Sequence, residues 1–265
     1  MILALIILAL LYLLALRCRT GHPLLRKLRK WKFAHRGLHG NGIPENSMEA
    51  FRLALENGYG IELDVHLLAD GNLAVIHDAS LLRTAGVDRK IEDLATEHLS
   101  DYHLEGTDQT IPTFREVLDL FDGRAPMIVE LKPENGNHDA LAAAACEMLE
   151  DYEGLYCIES FDPRCIRWLK KNRPHIVRGQ LAHNSLHELG EVPYLFRFIM
   201  TNLLSNFWNT PDFIAYRFAD RKRLSVRIAR GLWRVQGVSW TLRSQEEFDA
   251  AVQEDWIPIF EGFKP

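Results

Sequence analysis

The 265-residue sequence predicts an α/β fold, a TIM-type (β/α)8 barrel with a small capping insertion, preceded by one N-terminal transmembrane helix. Strand-like and helix-like segments alternate from residue 33 to the end of the chain, a pattern typical of parallel strands joined by crossover helices. About eight strands in this length fit a closed barrel of ~250 residues. A doubly wound sheet is the competing fold, but no Gly-x-Gly-x-x-Gly motif follows the first predicted strand.

The N-terminal run from Met1 to Leu16 has no charged residue and consists mostly of Leu, Ile and Ala. As a helix it would span ~24 Å, less than the ~30 Å core of a bilayer, and Thr20 with snorkelling arginines would extend it. A cleaved signal peptide would need Lys or Arg before the run and a small-residue cleavage site after it. The basic residues instead follow the run: Arg17, Arg19, Arg26, Lys27, Arg29, Lys30 and Lys32. We therefore predict a transmembrane anchor over residues 1–20 and a basic juxtamembrane linker over 21–32.

The position of these basic residues also predicts the orientation of the chain. By the positive-inside rule, Lys and Arg after a single span keep the downstream domain, residues 33–265, on the cytoplasmic side of the cell membrane. The basic linker is expected to lie against anionic lipid headgroups. The sequence thus predicts a single-pass membrane protein with a cytoplasmic domain.

Composition narrows the class of protein further. The net charge of −5 is spread along the chain, which argues against a nucleic-acid-binding protein. The four cysteines form no Cys-x-x-Cys pair and have no metal-ligand spacing, so we interpret them as reduced thiols, consistent with a cytoplasmic setting. They are Cys18, Cys146, Cys157 and Cys165. The sequence makes no prediction about oligomeric state.

The order of elements follows from hydrophobic periodicity and turn residues. Strands are predicted at 31–34, 60–66, 73–78, 127–133, 156–160, 176–181, 213–216 and 237–241. Helices are predicted at 48–57, 114–121, 140–149, 163–171, 225–232 and 245–252, with an apolar stretch at 193–208, and residues 257–265 close the chain. Between about 79 and 110 the periodicity is lost, and we interpret this segment as the insertion.

Polar side chains recur where the predicted strands end. Alternation places Glu62 and Asp64 on one face of a strand, and Glu130 and Lys132 share a face of another. His35 ends the first strand and His77 lies at the end of the predicted strand 73–78. In a barrel these ends meet at one face, where the active site lies. The sequence therefore predicts that these residues converge.

Three converging carboxylates would repel one another unless a cation lay between them. Carboxylate oxygens are ligands for a hard divalent ion, so we predict one Mg²⁺ or Ca²⁺ rather than Zn²⁺. Arg36 and Lys132 add positive charge beside that ion, which suits an anion whose charge grows in the transition state, and phosphate is the natural candidate. His35 and His77 would then act as general acid and base.

The sequence resembles the glycerophosphodiester phosphodiesterase family, as a bacterial-type, membrane-anchored member. The resemblance runs in order from about residue 33 to the C-terminus. It is carried by His35-Arg36-Gly37, Pro44-Glu45-Asn46-Ser47, Glu62-Leu63-Asp64-Val65, Asp70-Gly71, His77-Asp78, Leu82-Arg83-Thr84, Ile111-Pro112-Thr113, Glu130-Leu131-Lys132, Ser160-Phe161, Gly179-Gln180-Leu181 and Trp240-Thr241. The tail departs from the family pattern, since Glu261-Gly262-Phe263-Lys264-Pro265 stands where many members have Thr-Asp-x-Pro.

The resemblance implies metal-dependent hydrolysis of a small-molecule or lipid-derived glycerophosphodiester to glycerol 3-phosphate and an alcohol. It implies three groups of site residues. The catalytic residues are His35 and His77; the metal ligands are Glu62, Asp64 and Glu130; the substrate-binding residues are Arg36, Lys132, Glu45, Gln180 and Trp240. The alcohol headgroup and the choice between Mg²⁺ and Ca²⁺ stay open.

Two alternative functions remain at this point. One is lysophospholipase D-type cleavage of lysophospholipids at the membrane, which the predicted anchor and the apolar stretch 193–208 would favour. The other is a catalytically silent, membrane-tethered binding protein, which would be expected to lack a histidine or carboxylate of the site, and none is missing.

Overall fold

A computed structural model describes residues 1–188 and 192–265. Its strands are β1 Phe33–His35, β2 Gly60–Leu67, β3 Leu73–Val75, β4 Met127–Leu131, β5 Tyr156–Ser160, β6 Arg178–Ala182, β7 Phe213–Arg217, β8 Gln236–Leu242 and β9 Trp256–Phe260. Its α-helices are α1 Ile2–Ala15, α2 Pro23–Leu28, α3 Met48–Glu56, α4 Leu82–Ala85, α5 Phe114–Phe121, α6 His138–Met148, α7 Pro163–Asn172, α8 Tyr194–Thr201, α9 Asn206–Asn209, α10 Leu224–Gly231 and α11 Gln245–Gln253.

The strands close into a barrel because β1 pairs in parallel with both β2 and β9. The other barrel strands follow in chain order from β4 to β8, each parallel to its neighbour. Helices such as α5, α6 and α7 pack their apolar faces around the outside. The predicted eight-stranded α/β barrel is confirmed.

One predicted barrel strand is wrong. Residues 73–78 were expected to form a parallel strand, but β3 covers only Leu73–Val75 and runs antiparallel to β2. The physical reason is the short connection through Asp70-Gly71, since a parallel crossover needs a dozen or more residues. The remaining barrel strand is β9, which begins at Trp256 and continues into the predicted closing segment 257–265.

The predicted transmembrane helix over residues 1–20 is not found in the structure. Helix α1 is 14 residues long, so it spans about 21 Å. Leu16 and Cys18, which the prediction placed in the membrane, are instead buried in the main core of the barrel. Across residues 1–188 and 192–265, no helix is both long and apolar enough to cross a membrane.

Residues 21–32, interpreted as a basic linker, contribute to the fold. The segment contains α2, whose Leu25 and Leu28 are buried beside the first residue of β1, Phe33. The same small core includes Val177, which precedes β6. Helix α2 therefore covers the end of the barrel where the strands begin.

The segment between about 79 and 110 forms short helical turns around a separate apolar core. It contacts the barrel through Glu92, whose carboxylate lies 2.6 Å from Nδ1 of His66 on β2. The other nitrogen of His66 is 3.2 Å from the carbonyl oxygen of His77. The insertion thus fixes the backbone that carries His77.

Candidate active site

The polar residues lie in a cavity of about 420 Å³ at the carboxyl ends of the barrel strands. Their positions follow from strand alternation, because inward side chains of β2 and β4 alternate with outward ones that pack in the core, such as Leu63 and Val129. The cavity is lined by His35, Arg36, Glu62, His77, Glu130, Glu159, Lys132, Phe161, Arg217, Trp240 and Arg243, among others.

The three predicted metal ligands meet. Glu62, Asp64 and Glu130 are buried, and one ligand oxygen from each lies within 4.8 Å of the others. The register of β2 and β4 brings them together, since Asp64 is directly opposite Glu130. The geometry therefore confirms that the three carboxylates converge as the sequence predicted.

The electrostatics of this group are unbalanced without a cation. Burial, together with Asp64 and Glu130, raises the pKa of Glu62 well above its usual range. Burial and the nearby Asp64 raise the pKa of Glu130 to about 7, although Lys132 opposes this shift. At Asp64 burial acts in the same direction, but Lys132 and Arg36 outweigh it and hold the pKa below its usual range.

A charge count supports a divalent ion at this position. A fourth buried carboxylate, Glu159, lies directly opposite Glu130 in the β4–β5 register, and burial and Glu130 raise its pKa. The four carboxylates thus face two cations, Arg36 and Lys132, and Arg36 also pairs with Glu45, so acidic groups outnumber basic ones here. A set of carboxylate oxygens is also the donor set that Mg²⁺ and Ca²⁺ prefer. The residues present therefore fit the predicted metal.

The two predicted phosphate-binding cations are held by these acids. Nζ of Lys132 lies 2.6 Å from Glu130 and 3.1 Å from Asp64. The guanidinium of Arg36 is 3.0 Å from Glu45 and 3.4 Å from Asp64. Arg36 has a positive φ of 53°, and the adjoining Gly37 permits the tight turn that ends β1. Glu45 therefore positions Arg36 rather than lining the cavity directly.

His35 is oriented by Glu261, which is not among the predicted site residues. Its Nδ1 lies 2.7 Å from Oε2 of Glu261, just after β9, and its Nε2 lies 3.8 Å from Oε2 of Glu62. Burial lowers the pKa of His35, and the hydrogen bond to Glu261 partly offsets that shift. A neutral His35 that donates from Nδ1 to Glu261 has its Nε2 lone pair available at the cavity.

His77 is arranged in the same way. Its Nδ1 lies 2.5 Å from Oδ1 of Asp78, and Arg83 donates to the other oxygen of that carboxylate, also at 2.5 Å. Burial lowers the pKa of His77, while Asp64 opposes the shift. The side chain of His77 is 31% exposed and that of His35 is 13% exposed, so His77 lies nearer the cavity mouth.

Trp240 and Gln180 were both predicted to bind substrate, but only Trp240 lines the cavity. Trp240 lines the cavity, with its ring edge-on to Phe161 at a centroid distance of 5.5 Å. Gln180 is fully buried and faces away from the cavity, because the neighbouring Leu181 takes the inward position on β6. Its amide nitrogen donates to backbone carbonyls, and its oxygen accepts from Asn209 on α9. The structure does not bring Gln180 to the other site residues.

The sequence did not predict four residues of the site: Glu159, Glu261, Arg217 and Arg243, of which the two arginines line the cavity. Glu159 had a detectable signal, because it ends an apolar strand just as Glu130 does. Glu261 had none, since it lies in a tail that departs from the family pattern. Only closure of the barrel by β9 beside β1 places it next to His35.

We expect Glu261→Gln to lower kcat by about tenfold or more, with little change in KM, because it weakens the orientation of His35. Since Glu261 raises the pKa of His35, the limb of the pH–rate profile that reports His35 should move to lower pH. Steady-state kinetics across pH measure both effects. The control is Glu247→Gln, which removes a carboxylate that accepts from the Arg243 backbone at the same rim. An unshifted pH profile would contradict this role.

Comparison with known proteins agrees with the geometry. Residues 35–256 match the model of the glycerophosphoryl diester phosphodiesterase family. A glycerophosphodiester phosphodiesterase of Bacillus altitudinis is 35% identical over 167 residues, which cover 59% of this chain and 68% of that protein. A lysophospholipase D of Rattus norvegicus is 32% identical over 148 residues, covering 49% of this chain and 46% of that protein.

A solved structure shares the fold. The phosphodiesterase of Oleispira antarctica, determined with its product sn-glycerol-3-phosphate, superposes with a TM-score of 0.72 at 21% identity. The match covers 87% of this chain and 92% of that one.

Proposed function

The chain belongs to the glycerophosphoryl diester phosphodiesterase family and hydrolyses glycerophosphodiesters to glycerol 3-phosphate and an alcohol. We propose how the residues of the cavity carry out this reaction. The observation that carries the proposal is the convergence of two carboxylate-paired histidines, three buried acids and two cations on one cavity. This combination suits hydrolysis of a phosphodiester better than binding alone.

In this proposal the phosphodiester lies between Arg36 and Lys132, which bind its non-bridging oxygens. Glu62, Asp64 and Glu130 would hold a divalent ion, which would supply further positive charge beside the phosphoryl group. Mg²⁺ and Ca²⁺ both fit an all-oxygen site, so the metal is proposed only as one of these two.

The two histidines take different roles. His35 is the deeper residue, and burial favours its neutral form, so it serves as the general base. His77 lies nearer the mouth, where the alcohol leaves, and serves as the general acid. The negative charge of the bound diester raises the pKa of His77, which supports its protonated form. Trp240 provides an apolar wall against which glycerol carbons can pack.

Release of the free alcohol by the full chain tests this function; the second product is glycerol 3-phosphate from the water-soluble diesters and lysophosphatidic acid from lysophosphatidylcholine. The substrates are glycerophosphocholine, glycerophosphoethanolamine and lysophosphatidylcholine, each with Mg²⁺, with Ca²⁺ and with EDTA. We expect metal-dependent release from the two water-soluble diesters. No release from any substrate with either ion would overturn the proposal and leave the silent binding protein as the better interpretation.

Lysophospholipase D-type activity is the alternative. Its support is the relative from Rattus norvegicus and helix α8, which exposes Tyr194, Leu195, Phe196 and Phe198. Against it, α1 is attached at the opposite end of the barrel from the catalytic cavity, since Arg19 just after α1 binds carbonyls that precede β6. Faster turnover of lysophosphatidylcholine than of glycerophosphocholine would favour the alternative.

Membrane association is proposed in a modified form. Helix α1 is apolar on all sides and largely exposed, which is typical of a helix that is covered by lipid or by another protein. We place it on one leaflet of the membrane rather than across the bilayer. The cytoplasmic location of the barrel stays a prediction.

A further inference from the structure

A second cavity, of about 540 Å³, lies at the end of the barrel opposite the catalytic one. It opens beside Arg178, the first residue of β6, whereas the catalytic residues lie at the carboxyl ends of the strands. Four cations line it together with the apolar side chains of Leu14 and Phe207. The cations are Arg17, Arg19, Lys170 and Arg178.

Among the described residues, carboxylates neutralise these four cations only in part. In the part of the chain that the structure describes, the acid that pairs with them is Asp212, and Arg19 takes both of its oxygens at 2.5 and 2.6 Å. The backbone nitrogen of Arg178 donates to the same carboxylate at 3.0 Å. Lys170 instead donates to uncharged oxygens of Trp208 and Thr210. The cavity therefore keeps a net positive charge.

Arg178 is the most informative of the four. The residue is only 3% exposed, and Nη2 of its guanidinium donates to the carbonyl oxygen of Thr210 at 2.9 Å. Its Nη1 is buried and finds no acceptor among the described residues. Burial, with Arg19 nearby, lowers the pKa of Arg178 to about 10. A buried, unpaired guanidinium N–H is costly, and Arg178 places such a buried cation in the lining of the cavity.

The apolar helix α1 ends at this cavity. Its last turn is fixed to the barrel by a hydrogen bond from Nε1 of Trp233 to the carbonyl oxygen of Leu13 at 2.9 Å, and Leu16 is buried. Leu14 lines the cavity and is half exposed, and residues 1–11, which include the start of the helix, are exposed as well. A positively charged cavity thus adjoins an uncovered apolar helix. An anionic lipid complements both, because its headgroup is negatively charged and its acyl chains are apolar.

We propose that this cavity binds the phosphate of an anionic phospholipid while α1 lies among the acyl chains of the same leaflet. Arg178 and Lys170 hold the phosphate from the barrel side, and Arg17 holds it from the end of α1. The catalytic cavity then faces away from the membrane, toward water-soluble diesters.

The test compares Lys170→Gln with Lys171→Gln, a matched control because Lys171 is the next residue on α7 but is exposed and does not line the cavity. Full-length protein is floated with vesicles of phosphatidylcholine alone or mixed with phosphatidylglycerol. Each Lys near an anionic surface contributes ~1 kcal/mol, so we expect Lys170→Gln to weaken binding to the mixed vesicles about fivefold, and Lys171→Gln to change it less than about twofold. Phosphatidylcholine vesicles should bind all three proteins equally.

Arg17→Gln is the second variant, since Arg17 is exposed and its replacement should not disturb the fold even if Lys170→Gln does. Equal losses in Lys170→Gln and Lys171→Gln, with none in Arg17→Gln, would overturn the site, as would a soluble dimer that buries α1 without vesicles.

A free phosphate site is distinguished by calorimetry with inorganic phosphate. Loss of a phosphate-binding event in the variants with unchanged vesicle binding would overturn the lipid as the occupant. Hydrolysis of glycerophosphocholine in solution should be unaffected, which separates this proposal from the proposed function.

Discussion

Glu62→Gln is expected to lower glycerophosphodiester hydrolysis by at least about a thousandfold and to make the folded protein more stable when no metal is present. The activity loss follows because one of three converging ligands is neutralised, and positive charge at the phosphoryl group is typically worth several kcal/mol. The gain in stability follows because burial, Asp64 and Glu130 raise the pKa of Glu62. Its ionisation is therefore unfavourable in the folded protein.

The direction of the pH effect can be checked. A carboxyl group whose pKa is raised by folding binds more protons in the folded state, so stability falls as pH rises above the ordinary pKa of about 4.3. In EDTA, the melting temperature of the wild type should fall more than that of Glu62→Gln as the pH rises above this value. Adding Mg²⁺ or Ca²⁺ should stabilise the wild type but not Glu62→Gln, by about 2.7 kcal/mol when the ion is at a hundred times its Kd.

The control for this prediction is Glu97→Gln, because the Glu97 side chain is 81% exposed in the insertion. It should respond to metal as the wild type does. Metal-induced stabilisation of Glu62→Gln equal to that of the wild type would show that the ion binds elsewhere.

His35→Gln is expected to lower kcat by roughly 10² to 10⁴, the usual contribution of a general acid or base. The cause is loss of Nε2, which lies 3.8 Å from Glu62 at the cavity and is free to accept a proton. KM should change little, because Arg36 and Lys132 still bind the phosphate. Single-turnover kinetics with glycerophosphocholine separate the chemical step from product release.

Two further measurements make this prediction specific. Metal-induced stabilisation should persist in His35→Gln, which distinguishes a role in proton transfer from a role in holding the ion. His98→Gln, at a half-exposed histidine of the insertion, should retain full activity. Retention of more than roughly a tenth of wild-type activity by His35→Gln would be inconsistent with general base catalysis.

Much of the site was predictable from the sequence because its residues obey local rules. Alternation along β2 and β4 orients Glu62, Asp64 and Glu130 the same way, whatever surrounds the strands. The parallel α/β pattern then brings the ends of the strands to one face. The position of His35 in the cavity follows from its place at the end of β1.

Other features depend on contacts between distant parts of the chain. Glu261 reaches His35 only because β9 closes the barrel against β1, and no local pattern encodes that pairing. Gln180 matches the family pattern, but one position along β6 determines whether a side chain faces the cavity or the helices, and Leu181 takes the inward position.

The N-terminus shows the same division. Its composition alone determined that Met1 to Leu16 would be helical and apolar, since hydrophobicity is a property of the residues themselves. The helix stops at Ala15 and Leu16 and Cys18 join the barrel core, because burial against the barrel competes with continuation of the helix. Local patterns in the sequence are enough to predict the barrel and the convergence of its acids and histidines. Tertiary packing determined which partners orient them, because those partners are brought together only when the barrel closes.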